Sequence, residues 1–190
     1  MPETPFKSAV ALSHFLLAQR IRPGDRVADL TCGNGHDTLF LAELVGEHGK
    51  VWAFDLQDRA IEATRARLSA AGRLDRVELI AAGHERIGEF VSSPLSAAIC
   101  NLGYLPGGDK ELVTRPATTL AALTGTLALL SPGGLLCVCV YPGHPGGDEE
   151  ARAVDHWLAN LPASSCHTWN CRQPNRSNAS PYVLILEKVN

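Results

Sequence analysis

The sequence predicts an α/β doubly wound fold: a mostly parallel sheet with helices on both faces, closed by a C-terminal antiparallel hairpin. Three observations carry this expectation. Short apolar, β-branched runs alternate with longer amphipathic stretches along the whole chain, as strand–helix–strand units require. One such run enters a glycine turn, Gly33-Asn34-Gly35, at the point where a helix should open. The last two strands are joined only by Gln173–Pro181, too short for a helical crossover, so they should pair antiparallel.

Taken in order, Thr4 to Arg20 reads as an opening helix, stopped by Arg22-Pro23-Gly24-Asp25. A strand over Arg26–Leu30, a helix over Asp37–Val45 and a strand over Val51–Asp55 follow. The stretch Gln57–Ala71 is helical, with Ile61, Thr64 and Leu68 at three- and four-residue spacing. Next come a strand over Val77–Ala82, a short helix near Glu85–Val91 and a strand over Ala97–Asn101. Helix Pro116–Leu130 should end before strand Leu135–Tyr141, with Pro132-Gly133-Gly134 as the stop between them. A helix over Asp148–Asn160 precedes the closing strands near Ser165–Arg172 and Tyr182–Val189. A parallel sheet ending in one antiparallel hairpin distinguishes, by fold-level analogy, the Rossmann-like class I methyltransferase sheet from the nicotinamide-binding version.

Composition bounds the class. The chain has 190 residues, 45% hydrophobic and 19% charged, with a mean hydropathy of zero. That suits one globular domain spanning 1–190 with a real core. No apolar run reaches the about 18 residues of a membrane span, and MPETPFKSAV has no basic flank leading into an apolar block. The six cysteines form no CxxC pair, which points to reduced, buried thiols and a cytoplasmic protein. A net charge of −3 excludes a strongly basic nucleic-acid coat but leaves room for a local basic patch.

The cofactor end is the most informative. Gly33 and Gly35 permit positive φ and let a ligand lie against bare backbone. The next strand ends in Asp55, twenty residues after Gly35, where an acid can accept from ribose hydroxyls. The turn lacks the third glycine of a dinucleotide fingerprint and puts Asp37, beside Thr38, in the first helical turn. A carboxylate there repels a pyrophosphate but suits an ammonium group. Asp29 and Asp37 therefore fit S-adenosylmethionine, which carries an amino acid, a sulfonium and an adenosine but no phosphate. In Ala82-Gly83-His84-Glu85 the glycine permits close approach of an adenine, with His84 or Glu85 in reach. As structural alternatives, Gly33 and Gly35 form a tight turn and Asp37 merely starts a helix.

At the other end of the site, the fourth strand runs into Asn101-Leu102-Gly103-Tyr104-Leu105-Pro106-Gly107-Gly108-Asp109-Lys110. This segment resembles the Asn-Pro-Pro-Tyr loop of amino methyltransferases, with Leu102-Gly103 replacing the prolines. An Asn oxygen can accept from an amine and orient its lone pair, while Tyr104 can stack on a base. The fifth strand ends in Tyr141-Pro142-Gly143-His144-Pro145-Gly146, a stiff loop whose His144 is a candidate base or a structural residue. Asp148-Glu149-Glu150 reads as an acidic first helical turn. His36 also sits on the cofactor edge, His14 reads as a packed helix residue sooner than a cap on the site, and His156 reads as surface. No histidine pair has metal-ligand spacing, so no metal is expected.

Together, Asp29-Leu-Thr-Cys-Gly-Asn-Gly-His-Asp37-Thr, Phe54-Asp55-Leu56-Gln57, Asn101-Leu-Gly-Tyr-Leu-Pro-Gly-Gly-Asp-Lys110 and Tyr141-Pro-Gly-His-Pro145-Gly run in an order that closely resembles one bacterial family. It is the family long labelled "putative rRNA methylase", whose characterised members are tRNA 5-aminomethyl-2-thiouridine methyltransferases. The resemblance covers His14 to Glu187. It implies transfer of a methyl group from S-adenosylmethionine to the aminomethyl nitrogen of the tRNA wobble uridine. It implies cofactor contacts from Asn34, Asp37, Asp55, Gln57 and His84, beside Asp29, Gly33, Gly35, Thr38 and Gly83. It further implies that Asn101, Tyr104 and the His144 loop face the modified base, joined by Leu105, Pro106, Gly107, Tyr141, Arg176 and Asn178. The tail departs from the family pattern at Ser180, where a first proline is usual.

The expected partner is the anticodon stem-loop of a tRNA, with no membrane and with a homodimer as one option for assembly. The alternatives are an N-methyltransferase acting on rRNA or a small-molecule amine, an NAD-binding oxidoreductase, and a non-catalytic adenosine-binding module. Of the 17 basic residues 13 are arginine, clustered at Arg20/Arg22/Arg26, Arg65/Arg67/Arg73/Arg76 and Arg172/Arg176. The last pair flanks the closing loop, where phosphates could be met. The helical cluster reads as a solvated face. With so little positive charge, the footprint on RNA should be small and its salt dependence shallow.

Overall fold

Backbone groups at the start of a helix need outside acceptors, and this fixes where the first helix begins. The structure, a computed structural model, describes residue 4 and residues 6–103 and 114–190. Ser8, in an extended conformation, accepts from the Ala11 amide through Oγ at 3.1 Å, so α1 runs Ala9–Arg20 and not from Thr4. Then follow β1 (Arg26–Asp29), α2 (His36–Val45), β2 (Lys50–Asp55) and α3 (Asp58–Ala70). A 3-10 turn at Leu74–Arg76 precedes β3 (Val77–Ala81). The expected short helix is a 3-10 turn, His84–Arg86, continued by α4 (Ile87–Phe90). The remaining elements are β4 (Leu95–Asn101), α5 (Pro116–Leu129), β5 (Leu130–Val140), α6 (Gly147–Ala159), β6 (Cys166–Cys171) and β7 (Tyr182–Lys188).

The seven strands form one sheet in the order β3-β2-β1-β4-β5-β7-β6. The first five strands pair parallel, and β7 pairs antiparallel with both β5 and β6. The terminal hairpin therefore enters the sheet with its second strand against β5.

One expectation fails at the start of β5. Pro132-Gly133-Gly134 does not end a helix ahead of the strand; it lies inside the strand. The register against β4 jumps from Leu95↔Leu130 to Ala97↔Leu135 across it, a bulge made by the left-handed Gly133 (φ 73°). Arg20 Nε donates to the Gly133 carbonyl at 2.6 Å and so holds the bulge against α1.

Alternation along the strands divides the core. Val27, Val51, Ala53, Cys137 and Cys139 pack with Leu17, Leu41 and Leu68 of α1, α2 and α3. Ala28, Trp52, Phe54, Leu136 and Val138 pack with Ile87, Leu123 and Val154 of α4, α5 and α6. Both faces of the central strands are thus covered, and each fully buried Leu or Ile adds about 1.5–3 kcal/mol. All six cysteines are free, and five are buried. Burial raises the thiol pKa values of Cys32, Cys137 and Cys139 and keeps these thiols protonated. Among the described residues no helix is long and apolar enough to cross a membrane.

The chain runs outward from β1 through β2 to β3, then crosses back to place β4 on the other side of β1. That reversal opens a crevice at the carboxyl ends of β1 and β4, the position at which open α/β sheets bind ligands.

Candidate active site

A cavity of about 990 Å³ occupies this crevice. It is built by the loops that follow β1, β2, β3, β4 and β5, with Ala179 and Pro181 contributed from the β6–β7 loop.

The β1–α2 loop forms its floor. Gly33 and Gly35 both adopt positive φ, 51° and 77°. A Cβ on Gly35 would lie 2.8 Å from the Thr64 Cα, so α3 can pack here only against a glycine. Thr64 Oγ1 donates to the Gly33 carbonyl at 2.9 Å, and Arg67 Nε donates to the Asn34 carbonyl at 2.7 Å. Arg67 also donates to His36 Nε2 at 3.0 Å, and Arg76 is buried, so the helical arginine cluster is not simply a solvated face. Asp55 receives the Gly33 amide at 3.0 Å and the Gln57 amide at 2.9 Å, tying the ends of β1 and β2 together. Leu56, 71% exposed, adds an apolar edge to the same wall.

Asp29 and Thr38, expected to bind cofactor, lie beneath this loop, fully buried and outside the cavity lining. Thr38 Oγ1 donates to Asp29 at 2.6 Å, and the Thr31 amide donates at 3.1 Å. Burial first, and then the neighbouring Asp37, push the Asp29 carboxyl well above the usual carboxylate range. Asp29 thus supports the loop from below and lies outside the cavity lining. Gly35 likewise shapes the turn without lining the cavity.

Beyond β3, Gly83 lets the Glu85 carboxylate fold back over its Cα. His84 Nδ1 donates to the Leu30 carbonyl at 3.2 Å, and burial lowers its pKa, so a neutral ring lines the cavity.

The opposite wall is organised by Asn101 at the end of β4. Its amide N–H donates to Thr31 Oγ1 at 2.8 Å, and its Nδ2 donates to Asp37 Oδ2 at 2.5 Å. A carboxylate only accepts, so the Asn101 side chain must turn its NH2 toward Asp37. Its Oδ1 is buried and has no hydrogen-bond partner among the described residues. The other Asp37 oxygen receives His14 Nε2 at 2.6 Å. Both carboxylate oxygens of this expected cofactor ligand are therefore engaged by protein donors.

Tyr141 and His144 line the same wall. Burial raises the Tyr141 phenol, which stays protonated and able to donate. His144 Nδ1 donates to the Pro145 carbonyl at 3.0 Å, and the ring packs against Gly103 and Gly147, where a Cβ on either would come within 3.3 and 2.8 Å of Nε2. Arg176 and Asn178 lie on the exposed part of the β6–β7 loop, outside the cavity lining. Tyr104, Leu105, Pro106 and Gly107 lie outside the described residues.

Glu150 is a site-supporting residue that the sequence reading treated as an ordinary acidic turn. It is 2% exposed and accepts from Thr114 and Thr119 hydroxyls, each at 2.6 Å. Thr114 Oγ1 in turn receives the Gly103 amide at 2.8 Å, and the Thr114 amide donates to the Gly103 carbonyl at 3.0 Å. The signal was present as spacing, because Glu150, Val154 and Leu158 share one helical face. Arg172 also departs from expectation. It pairs with Asp155 at 2.6 Å and lies 3.4 Å from the Tyr182 ring centroid, whereas Arg115 is the arginine that lines the cavity.

The lining charges fit an S-adenosyl ligand. Asp37, Asp55 and Glu85 face a cavity whose lining, among the described residues, includes one arginine, Arg115, and no lysine. That balance suits an ammonium and a sulfonium and opposes a pyrophosphate.

Comparison with known proteins gives the family. A family model described as "Putative rRNA methylase" matches residues 51–187. The chain belongs to this family. It is 39% identical over 194 residues to the chloroplastic tRNA (mnm5s2U34)-methyltransferase of Arabidopsis thaliana, covering 97% of this chain and 71% of that protein. The crystal structure titled "putative rRNA-methylase" from Clostridium thermocellum is 39% identical, with a TM-score of 0.95 over 97% of this chain and 99% of the other. A "putative methyltransferase" from Streptococcus mutans, in complex with SAH, is 36% identical with a TM-score of 0.87 over the whole of both chains. The fold is the Rossmann-like class I methyltransferase fold, and the chain is an S-adenosylmethionine-dependent methyltransferase.

Proposed function

We propose that the chain, acting as one methyltransferase domain over 1–190, methylates the aminomethyl nitrogen of 5-aminomethyl-2-thiouridine at the wobble position of tRNA. The observation that carries this reading is the Asn101 side chain. Its Nδ2 is committed to Asp37, and its Oδ1 is a buried acceptor without a partner among the described residues. An orphaned acceptor costs about 1–3 kcal/mol, and the N–H of an acceptor amine would satisfy it. The 39% identical tRNA (mnm5s2U34)-methyltransferase of Arabidopsis supports the same acceptor.

Asn34, Asp37, Asp55, Gln57, Gly83 and His84 would hold the S-adenosyl group, with Leu56 against its ring. When bound, that group supplies a methyl activated by a positively charged sulfur. An alkylamine is mostly protonated near neutral pH and must lose a proton before its lone pair can attack. A desolvating cavity eases that loss. Asn101 Oδ1 then accepts a remaining N–H and orients the lone pair, and His144 or water takes the released proton. The family resemblance assigns Tyr104, Leu105, Pro106 and Gly107 to the modified base, and Tyr141 lines the cavity that would take it. Arg115, at the cavity, and Arg176 and Asn178, on the exposed β6–β7 loop, would meet the backbone of the anticodon stem-loop. With Arg172 tied to Asp155, few phosphate contacts are left, in keeping with a shallow salt dependence. Free, mostly buried thiols suit the reducing cytoplasm.

The test is mass spectrometry of tRNA nucleosides after incubation with labelled S-adenosylmethionine, run beside rRNA. Label on aminomethyl-thiouridine supports the reading. Label in rRNA alone, or in no RNA, transfers the activity to another amine.

A further inference from the structure

His14 belongs to α1, Asp37 to the first turn of α2 and Asn101 to the end of β4, yet their side chains form one continuous chain. His14 Nε2 lies 2.6 Å from Asp37 Oδ1, and Asn101 Nδ2 lies 2.5 Å from Asp37 Oδ2. Both neighbours must donate, since the carboxylate has only lone pairs to offer. The His14 ring is stacked on Phe40, with centroids 3.8 Å apart and planes 7° apart, and Phe40 sits one turn beyond Asp37 on α2. The adjacent Ser13 is fully buried, with Oγ 3.2 Å from Cys139 Sγ, which fixes the rotation of α1 over β5. His14 does not line the cavity; Asp37 and Asn101 do.

We propose that His14 and Asp37 are positioning residues for methyl transfer: their hydrogen-bonded chain locks the Asn101 amide so that its oxygen, and never its NH2, meets the methyl acceptor. The inference deepens the amine-acceptor reading above and rests on it. Rotating the Asn101 amide by half a turn would set its oxygen against the Asp37 carboxylate at 2.5 Å. Two acceptors at that separation repel, so the turned form is a minor one as long as Asp37 stays in place. Asp37 in turn stays in place because His14 holds its second oxygen and Phe40 holds the His14 ring. Without that hold, the carboxylate rotates and the amide loses its preference. An amide presenting NH2 would repel an amine N–H and misdirect the lone pair. Asn101 is the group in contact with substrate, and the other two act through it.

The experiment uses the full chain with three substitutions, His14→Leu, His14→Gln and Asp37→Asn. The Asn101 side-chain amide is followed by 1H–15N NMR, assigned by its disappearance in Asn101→Ala. Single-turnover methylation of tRNA, affinity for S-adenosylhomocysteine and thermal unfolding are measured alongside. In the wild type the Asn101 amide protons should be downfield and slow to exchange. His14→Leu should shift or broaden them and slow methyl transfer about 10- to 100-fold, as outer partners of a site residue do. S-adenosylhomocysteine affinity should stay within about threefold. His14→Gln, which restores a donor, should recover the amide signal and most of the rate. Asp37→Asn should lose both. An unchanged amide signal and rate in His14→Leu overturns the positioning role, whatever the acceptor. Should the amide signal move while neither His14→Leu nor Asn101→Ala slows transfer, the amine-orienting role of Asn101 falls and the inference falls with it. A parallel loss of rate and thermal stability in both His14 variants reduces His14 to a packing residue and likewise overturns it.

Discussion

Replacing Asn101 by Ala separates the acceptor half of the site from the cofactor half. Two terms in folding stability oppose each other. The substitution removes the hydrogen bond from Nδ2 to the Asp37 carboxylate, worth about 1.5–3 kcal/mol for a charged partner. It also removes Oδ1, which has no partner among the described residues and whose burial then costs about 1–3 kcal/mol. The net change should lie within about 1 kcal/mol, equivalent to about 2–4 °C in Tm for a chain of this size. The backbone bond from Asn101 N to Thr31 survives in the variant, so the end of β4 keeps its place. Transfer has no such compensation. Loss of one preorganised polar group at a reacting centre costs about 10²–10³ in turnover, or about 2.7–4 kcal/mol. Cofactor affinity should change less than about threefold, because Asn34, Asp55, Gln57 and His84 belong to other loops and His14 still holds the Asp37 carboxylate. Single-turnover methylation, calorimetric titration with S-adenosylhomocysteine and thermal unfolding measure the three quantities separately. Unchanged turnover, or a cofactor affinity that falls as far as turnover does, would refute the reasoning.

Three further outcomes follow from the supports of the site. Gly35→Ala combines a strained φ of 77° with a Cβ 2.8 Å from the Thr64 backbone, and should cost about 2–4 kcal/mol; an unchanged Tm would contradict the packing described. Glu150→Ala leaves the Thr114 and Thr119 hydroxyls without their acceptor and should lower stability by about 3 kcal/mol in urea titrations, with Glu150→Gln losing less. Asp29 gives a pH signature. Its folded pKa is raised, so between the ordinary carboxylate range and the raised value the native state holds a proton that the unfolded state has lost. This stabilising contribution is complete at acid pH and is lost as pH rises through that interval. Asp29→Asn has no such proton, so its stability relative to wild type should improve from about pH 4 to about pH 7, and a constant difference would count against the assignment.

What could be read from the sequence was the part governed by neighbours along the chain. Gly33 and Gly35 were legible as positive-φ positions because a strand, a turn and a helix follow one another directly. Asp55 was legible because a strand end fixes its spacing from that turn. The terminal hairpin was legible because nine residues cannot hold a crossover helix. The rest depends on partners brought from afar. His14 and Asp37 are 23 positions apart and Asp37 and Asn101 are 64, and no local pattern joins them. Arg172 looked available for phosphates until Asp155 and Tyr182 took it. Asp29 was read as cofactor-facing from its charge, and its place beneath the loop, bonded to Thr38 and Thr31, depends on how the loop folds over it. Pro132-Gly133-Gly134 carries the composition of a break, and pairing with β4 together with the Arg20 contact turns it into a bulge instead.

The seam between β1 and β4 has a thermodynamic consequence. Thr31 and Asn101 are bonded across 70 residues of chain, and the two walls of the cavity hang from opposite sides of that join. A join of such sequence separation closes late in folding, since its loop entropy must be overcome before its contacts return anything. A ligand touching both walls needs that join made, so it binds the native state in preference to chains in which the join is open. At a hundred times its dissociation constant such a ligand adds about 2.7 kcal/mol to the stability of the fold. A donor and an acceptor bound together, one against each wall, would thus keep more of this chain folded under stress.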